Sequence, residues 1–105
     1  VAEAGGEPVG QLGLQLARYG VADLGMLVAA GWRGRGVGTA LLAEAVRRAR
    51  AAGAHKIALQ VWPHNTAAIA LYERFGFQRE GYLRRHYRRR SGELWDAVVM
   101  GLPLD

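Results

Sequence analysis

Apolar residues recur along this chain with two different periods, and the places where the period changes mark out its elements. From the start, alternation predicts a strand over residues 1–4, a turn at Gly5-Gly6-Glu7-Pro8, and a second strand from Val9 to Tyr19 with Leu12, Leu14 and Leu16 on one face. These two form a hairpin. A third strand, Val21 to Ala29, sets Ala22, Leu24, Met26 and Val28 against Val21, Asp23, Gly25 and Leu27, so Asp23 shares a face with Leu27. After residue 36 the period becomes helical. Val37, Leu41, Leu42, Ala45, Val46 and Ala49 fall on one side, while Glu44, Arg47, Arg48 and Arg50 fall largely on the other, with Glu44 placed to pair with Arg48. Gly53 stops this helix, and Lys56 to Trp62 returns to alternation with Ile57, Leu59 and Val61 on one face.

Strand, loop, helix, strand is a βαβ crossover, which predicts that strands 21–29 and 56–62 run parallel with a right-handed connection. Asn65 then caps a second helix that runs to Phe75 and stops at Gly76. Phe77 to Tyr87 and Leu94 to Leu102 finish the chain as an antiparallel pair. The expected fold is α/β (α+β): a mixed sheet with a central βαβ crossover, antiparallel strands at both ends, and helices packed on it.

Composition narrows the function. The 105 residues give room for one domain, and 50% hydrophobic with 22% charged residues is ordinary for a globular chain. Without cysteine there is no thiolate metal site and no cysteine acyl-enzyme. His55, His64 and His86 lie on separate segments without ligand spacing, so no metal is expected. Neither a membrane span nor a signal-type segment is evident, and a cytoplasmic location without membrane association is the expectation. The net charge of +5 favours anionic partners. Much of it sits in Arg84, Arg85, Arg88, Arg89 and Arg90, interleaved with Tyr82, His86 and Tyr87. That run reads either as a nucleic-acid patch or as a solvated hairpin ending in the Ser91-Gly92 turn, and the position between two strands favours the hairpin.

The densest chemistry lies at Arg33-Gly34-Arg35-Gly36-Val37-Gly38-Thr39, directly before the first helix. Alternate glycines let backbone N–H groups approach a ligand, and the helix start adds unpaired N–H groups and its positive dipole end. This is the pattern of an anion site, best suited to a diphosphate. The phosphate loop of nucleotide hydrolases needs lysine after the last glycine, yet Thr39 follows Gly38 directly. A dinucleotide fingerprint counted from Gly34 requires glycine at the position of Thr39.

Arg33-x-x-Gly36-x-Gly38 instead resembles the Arg/Gln-x-x-Gly-x-Gly/Ala loop of GNAT-superfamily N-acetyltransferases. A second segment, Asn65-Thr-Ala-Ala-Ile-Ala-Leu71-Tyr72-Glu-Arg-Phe-Gly76-Phe77, resembles that superfamily's other signature, in the same order along the chain. The resemblance implies acetyl-CoA as cosubstrate, needing no metal, and a primary amine as acceptor, whether a small molecule or a peptide. It assigns the pyrophosphate to Arg33, Gly34, Arg35, Gly36, Val37 and Gly38, and the pantetheine arm to Asn65. The backbone of Met26, Leu27 and Val28 would polarise the thioester carbonyl, and Tyr72 would protonate the departing thiolate. Asp23 is the candidate general base, and Asp96, expected to be buried, is a further carboxylate for contacting the amine. Trp32 is expected to pack rather than react.

Independently of the resemblance, seven residues separate Asn65 from Tyr72, which places them within ~20° of each other on a helix surface. The segment beyond Phe77 resembles the branch acting on ribosomal-protein N-termini, polyamines or small amines. Relatives usually carry a further strand and one or two helices ahead of the first hairpin. The chain is therefore expected to be an N-terminally truncated single domain, 1–105, weakly active unless a further segment or a partner completes the acceptor wall. An exposed first strand points to homodimer formation. Two alternatives stand beside the enzyme: a CoA-binding fragment without turnover, and a basic nucleic-acid-binding module.

Overall fold

A computed structural model describes residues 2–4, 7–16, 18–28 and 36–104. They form a mixed α/β chain that divides into two compact units, Val1–Ile57 with Pro103–Asp105, and Ala58–Leu102. Six strands and two α-helices occur among the described residues, and no helix there is long and apolar enough to cross a membrane.

The first unit opens with β1 (Ala2–Ala4), β2 (Glu7–Leu16) and β3 (Val21–Val28), each antiparallel to its neighbour in sequence. β2 begins earlier than its pattern suggests, because Glu7 and Pro8 pair with Ala4 and Glu3 instead of turning. Near the start of a strand a proline's missing N–H costs little. β2 also ends earlier, at Leu16 rather than Tyr19. Arg18–Gly20 forms a short 3-10 turn in which Tyr19 takes φ 68 and points an 86% exposed ring into solvent. The tight return to β3 demands left-handed backbone at both Tyr19 and Gly20, a requirement that alternation does not reveal.

Glycine at position 20 has a second reason: at φ 80, a Cβ there would lie 2.8 Å from His55 Nδ1. The two segments are tied by the His55 N–H, which donates to the Gly20 carbonyl at 2.9 Å.

α1 (Val37–Ala51) packs against β2 and β3. Its buried face is Leu41, Leu42, Ala45 and Ala49, with Val37 and Val46 half-buried at the margin. On the outer face Glu44 accepts from Arg48 Nε at 2.9 Å and also pairs with Arg47. Gly53, at φ 84, ends the element as its position predicts. β4 (Lys56–Val61) follows, with Ile57, Leu59 and Val61 buried.

In the second unit the strand order is β4-β6-β5, formed by β5 (Gln78–Arg88) and β6 (Leu94–Pro103) in antiparallel register. α2 (Thr66–Phe75) buries Ile69 and Tyr72, and its C-terminus is closed by Gly76 at φ 119. Leu59, Val61, Phe77, Ala97, Val98 and Met100 supply the remaining apolar interior. β5 is exposed along nearly its whole length and carries two irregularities, at Arg79/Gly81 and at Leu83/Tyr87. Arg85, at φ 49, lies within the second. The regular strand expected from Phe77 to Tyr87 is thus interrupted by a bulge.

Candidate active site

The first unit holds the glycine-rich segment. Arg33, Gly34, Arg35 and Trp32 lie outside the described residues, which resume at Gly36. Gly36 caps α1 in the left-handed conformation, φ 80 and ψ 0, with no side-chain cap. The Ala40 N–H donates to the Gly36 carbonyl at 3.0 Å, which closes the first helical turn. The N–H groups of Val37, Gly38 and Thr39 precede that bond and so have no acceptor within the helix. Val37 and Gly38 are half-buried and Thr39 is exposed.

On β3 the register sets Met26 opposite Leu12, Leu27 opposite Gln11 and Val28 opposite Gly10. Antiparallel pairing turns alternate N–H groups toward the partner strand, so Met26, Leu27 and Val28 cannot all donate away from β2. The expected carbonyl-polarising role narrows to one or two of them. Asp23, opposite Gln15, is exposed and remains available as a base by position alone.

The second unit holds Asn65 and Tyr72. Asn65 is the N-cap of α2, its Oδ1 accepting from the Ala68 N–H at 3.3 Å. Seven residues on, the Tyr72 ring is buried against Phe77 at 5.6 Å between centroids. Among the described residues none hydrogen-bonds its hydroxyl. Burial pushes the Tyr72 phenol above its ordinary 10.0. A surface cavity of about 660 Å³ lies elsewhere on this helix, lined by Thr66, Ile69, Ala70 and Glu73 with residues of β5. It includes neither Asn65 nor Tyr72.

Asp96 departs from expectation. It is half-buried rather than buried, and both its oxygens are engaged: Oδ2 accepts from the Tyr82 hydroxyl at 2.6 Å, and Oδ1 from the Arg85 N–H at 2.7 Å. The carboxylate therefore clamps the β5 bulge. The Tyr82 hydroxyl first, then the Arg85 N–H, hold the Asp96 carboxyl below its ordinary 3.8, while the same bond to Asp96 raises the Tyr82 phenol.

A depressed carboxylate contributes stability above its unfolded value and loses it as pH falls through the lower folded value. The hairpin should thus be insensitive to acid down to about pH 4 and loosen only below it. Tryptophan fluorescence against pH would check this. Asp96→Asn is expected to remove the acid transition and to loosen the hairpin already at neutral pH.

Sequence reasoning missed the aromatic cluster beyond this bulge. Trp62 meets Tyr87 at 5.3 Å and Trp95 at 5.0 Å, both edge to face. Arg89, expected to be solvated, lies over both indoles. Among the described residues no group of three or more His, Cys, Asp or Glu is gathered as for a metal.

Residues 1–77 match the Acetyltransferase (GNAT) family, and the chain belongs to it. It is 42% identical over 105 residues to N-alpha-acetyltransferase RimI of Mycobacterium tuberculosis, covering 94% of this chain and 61% of that one. Against L-amino acid N-acetyltransferase AaaT of Escherichia coli the identity is 35% over 100 residues, covering 90% and 61%. The crystal structure of ribosomal-protein-alanine N-acetyltransferase from Brucella melitensis aligns with TM-score 0.88 at 31% identity, over 99% of this chain and 67% of that one. The chain spans about three fifths of the length of the two curated relatives.

Proposed function

We propose that this chain carries the acetyl-CoA-handling part of an N-acetyltransferase, which moves an acetyl group to the primary amine of an amino acid, a polyamine or a protein N-terminus. Support for the activity comes from relatives named for N-acetyl transfer to the alanine of ribosomal protein bS18 and to L-amino acids. The observation that carries the chemistry is Tyr72: a ring buried on Phe77, on the helix that Asn65 caps seven residues earlier, with a phenol that burial raises above its ordinary value.

In this reading the Gly36 turn and the unpaired N–H groups of Val37 and Gly38 receive the pyrophosphate, together with Arg33, Gly34 and Arg35. Backbone N–H groups of the Met26-Leu27-Val28 edge orient and polarise the thioester carbonyl. The amine nitrogen forms its bond to the carbonyl carbon, and the carbon–sulfur bond then breaks. The amine's proton leaves to Asp23 or to water, and Tyr72 gives its proton to the thiolate. Asn65 holds the pantetheine arm through its amide N–H, because its oxygen is committed to Ala68.

Thiol release from acetyl-CoA, measured over a panel of amines, amino acids and N-terminal peptides, tests the transfer. Calorimetry with CoA and with 3′-dephospho-CoA tests the cofactor loop separately. Binding of CoA with no thiol release on any acceptor would assign the chain a binding role without turnover. Failure to bind either compound at low salt would overturn the reading altogether.

A further inference from the structure

Arg89 occupies a corner built by residues distant in sequence. Its guanidinium carbon lies 4.4 Å from the ring centre of Trp95 and 4.9 Å from that of Trp62, and the two indoles stand at 87° to each other. His64 closes on Trp95 at 5.0 Å. The backbone is fixed as well: the Arg89 N–H donates to the Glu93 carbonyl at 2.8 Å, and the Arg89 carbonyl accepts from Gly92 at 2.9 Å. A surface cavity of about 440 Å³ opens here, lined by Arg88, Arg89, Arg90, Ser91 and Trp95.

A planar guanidinium can stack on only one of two indoles that stand at 87°, and its five N–H donors outnumber those that the second ring can meet, which leaves donors for another partner. Holding the long side chain against two indoles also removes, before any ligand arrives, much of the rotamer freedom that binding would cost. Yet no carboxylate among the described residues pairs with Arg88, Arg89 or Arg90. The nearby Glu93 carboxylate accepts from the Ser91 hydroxyl through Oε1 at 3.0 Å. A clamped, forked cation without a counter-ion among the described residues, flanked by two more guanidinium groups, is built to take a planar anion.

We propose that this corner is a carboxylate-binding subsite that reads an acidic side chain of a peptide partner, with Arg89 as its specificity-determining residue. As a subsite for the acceptor it rests on the transferase reading above; as a binding site it can be tested without it. Two features favour a peptide. β5 is an edge strand in the order β4-β6-β5, so its outer backbone groups can pair with an extended chain. The indole faces that would stack nucleobases are already taken up by Arg89 and by neighbouring rings.

The test is a tryptophan-fluorescence titration with an N-acetylated, C-amidated hexapeptide carrying two adjacent glutamates, against its glutamine counterpart. Such peptides have no free α-amine, so the result is independent of turnover. The glutamate peptide is expected to bind about tenfold more tightly, as one charge-assisted bidentate contact would give. Arg89→Ala should erase the difference, and Arg89→Lys should retain only about threefold, since lysine keeps the charge but loses the fork. Arg50→Ala, an equal charge change at an exposed position of α1, should leave the ratio intact. Equal affinity for the two peptides, or an equal loss in Arg50→Ala and Arg89→Ala, would overturn the subsite. Displacement of the peptide by a single-stranded oligonucleotide with a steep salt slope would instead make the hairpin a nucleic-acid surface. Absence of thiol release on every amine overturns the transferase reading and leaves this titration unaffected.

Discussion

Tyr72→Phe is expected to lower kcat about a hundredfold while leaving KM for acetyl-CoA within about twofold, the signature of a group that acts as the thiolate departs. Phenylalanine keeps the ring on Phe77, and the hydroxyl it deletes has no hydrogen-bond partner among the described residues, so the fold should not suffer. Unchanged thermal unfolding of the variant would confirm that the loss is chemical. The pH profile adds a second check. Burial raises the Tyr72 phenol above 10.0, so the acid form is fully present below that value and is lost only as pH rises beyond it. The wild type should therefore show no decline from loss of this acid between pH 7 and about pH 10. Equal turnover of Tyr72→Phe and wild type would reduce Tyr72 to an interior aromatic, and the carrier of the chemistry would have to be sought elsewhere.

What the sequence reveals about this molecule follows from the range over which each rule acts. Asn65 as a cap, Gly53 and Gly76 as stops, and the buried stripe of Leu41, Leu42, Ala45 and Ala49 are consequences of a few adjacent residues. The glycine loop and the Asn65–Tyr72 spacing are equally local, which is why two short segments suffice to identify the family. Tyr19 shows the opposite case. Its residue type favours a strand, but the close approach of Gly20 to His55 sets the turn, and His55 stands thirty-five positions further along. Asp96 looked like a buried carboxylate because apolar residues surround it in sequence. Its partners Tyr82 and Arg85 lie across a hairpin whose bulge no alternation pattern announces. The corner of Trp62, Trp95 and Arg89 likewise exists only through pairing across the sheet. Residues that act through neighbours in sequence were legible, and those that act through neighbours in space were not.

The largest effect on stability is expected at Leu42. It is only 1% exposed and among the largest fully buried side chains, on the face by which α1 meets β2 and β3. Leu42→Ala removes buried methyl groups and leaves a void that close-packed neighbours fill only in part, a cost of about 2–5 kcal/mol. Against a total of ~5–15 kcal/mol for a chain of this size, that is a large share of the whole. Unfolding by heat should shift down by roughly 10 °C or more. Val46→Ala, half-buried on the same helix, should cost less than half as much, because much of its surface is already wet. The comparison also reaches the ligand site. α1 carries at its first turn the N–H groups proposed to hold the pyrophosphate, so a ligand that binds only the folded helix should stabilise either protein by about 2.7 kcal/mol at a hundredfold excess over Kd. Leu42→Ala and the wild type are therefore expected to gain the same free energy from CoA at equal saturation, and a loss under about 1 kcal/mol in Leu42→Ala would mean that α1 does not anchor this unit.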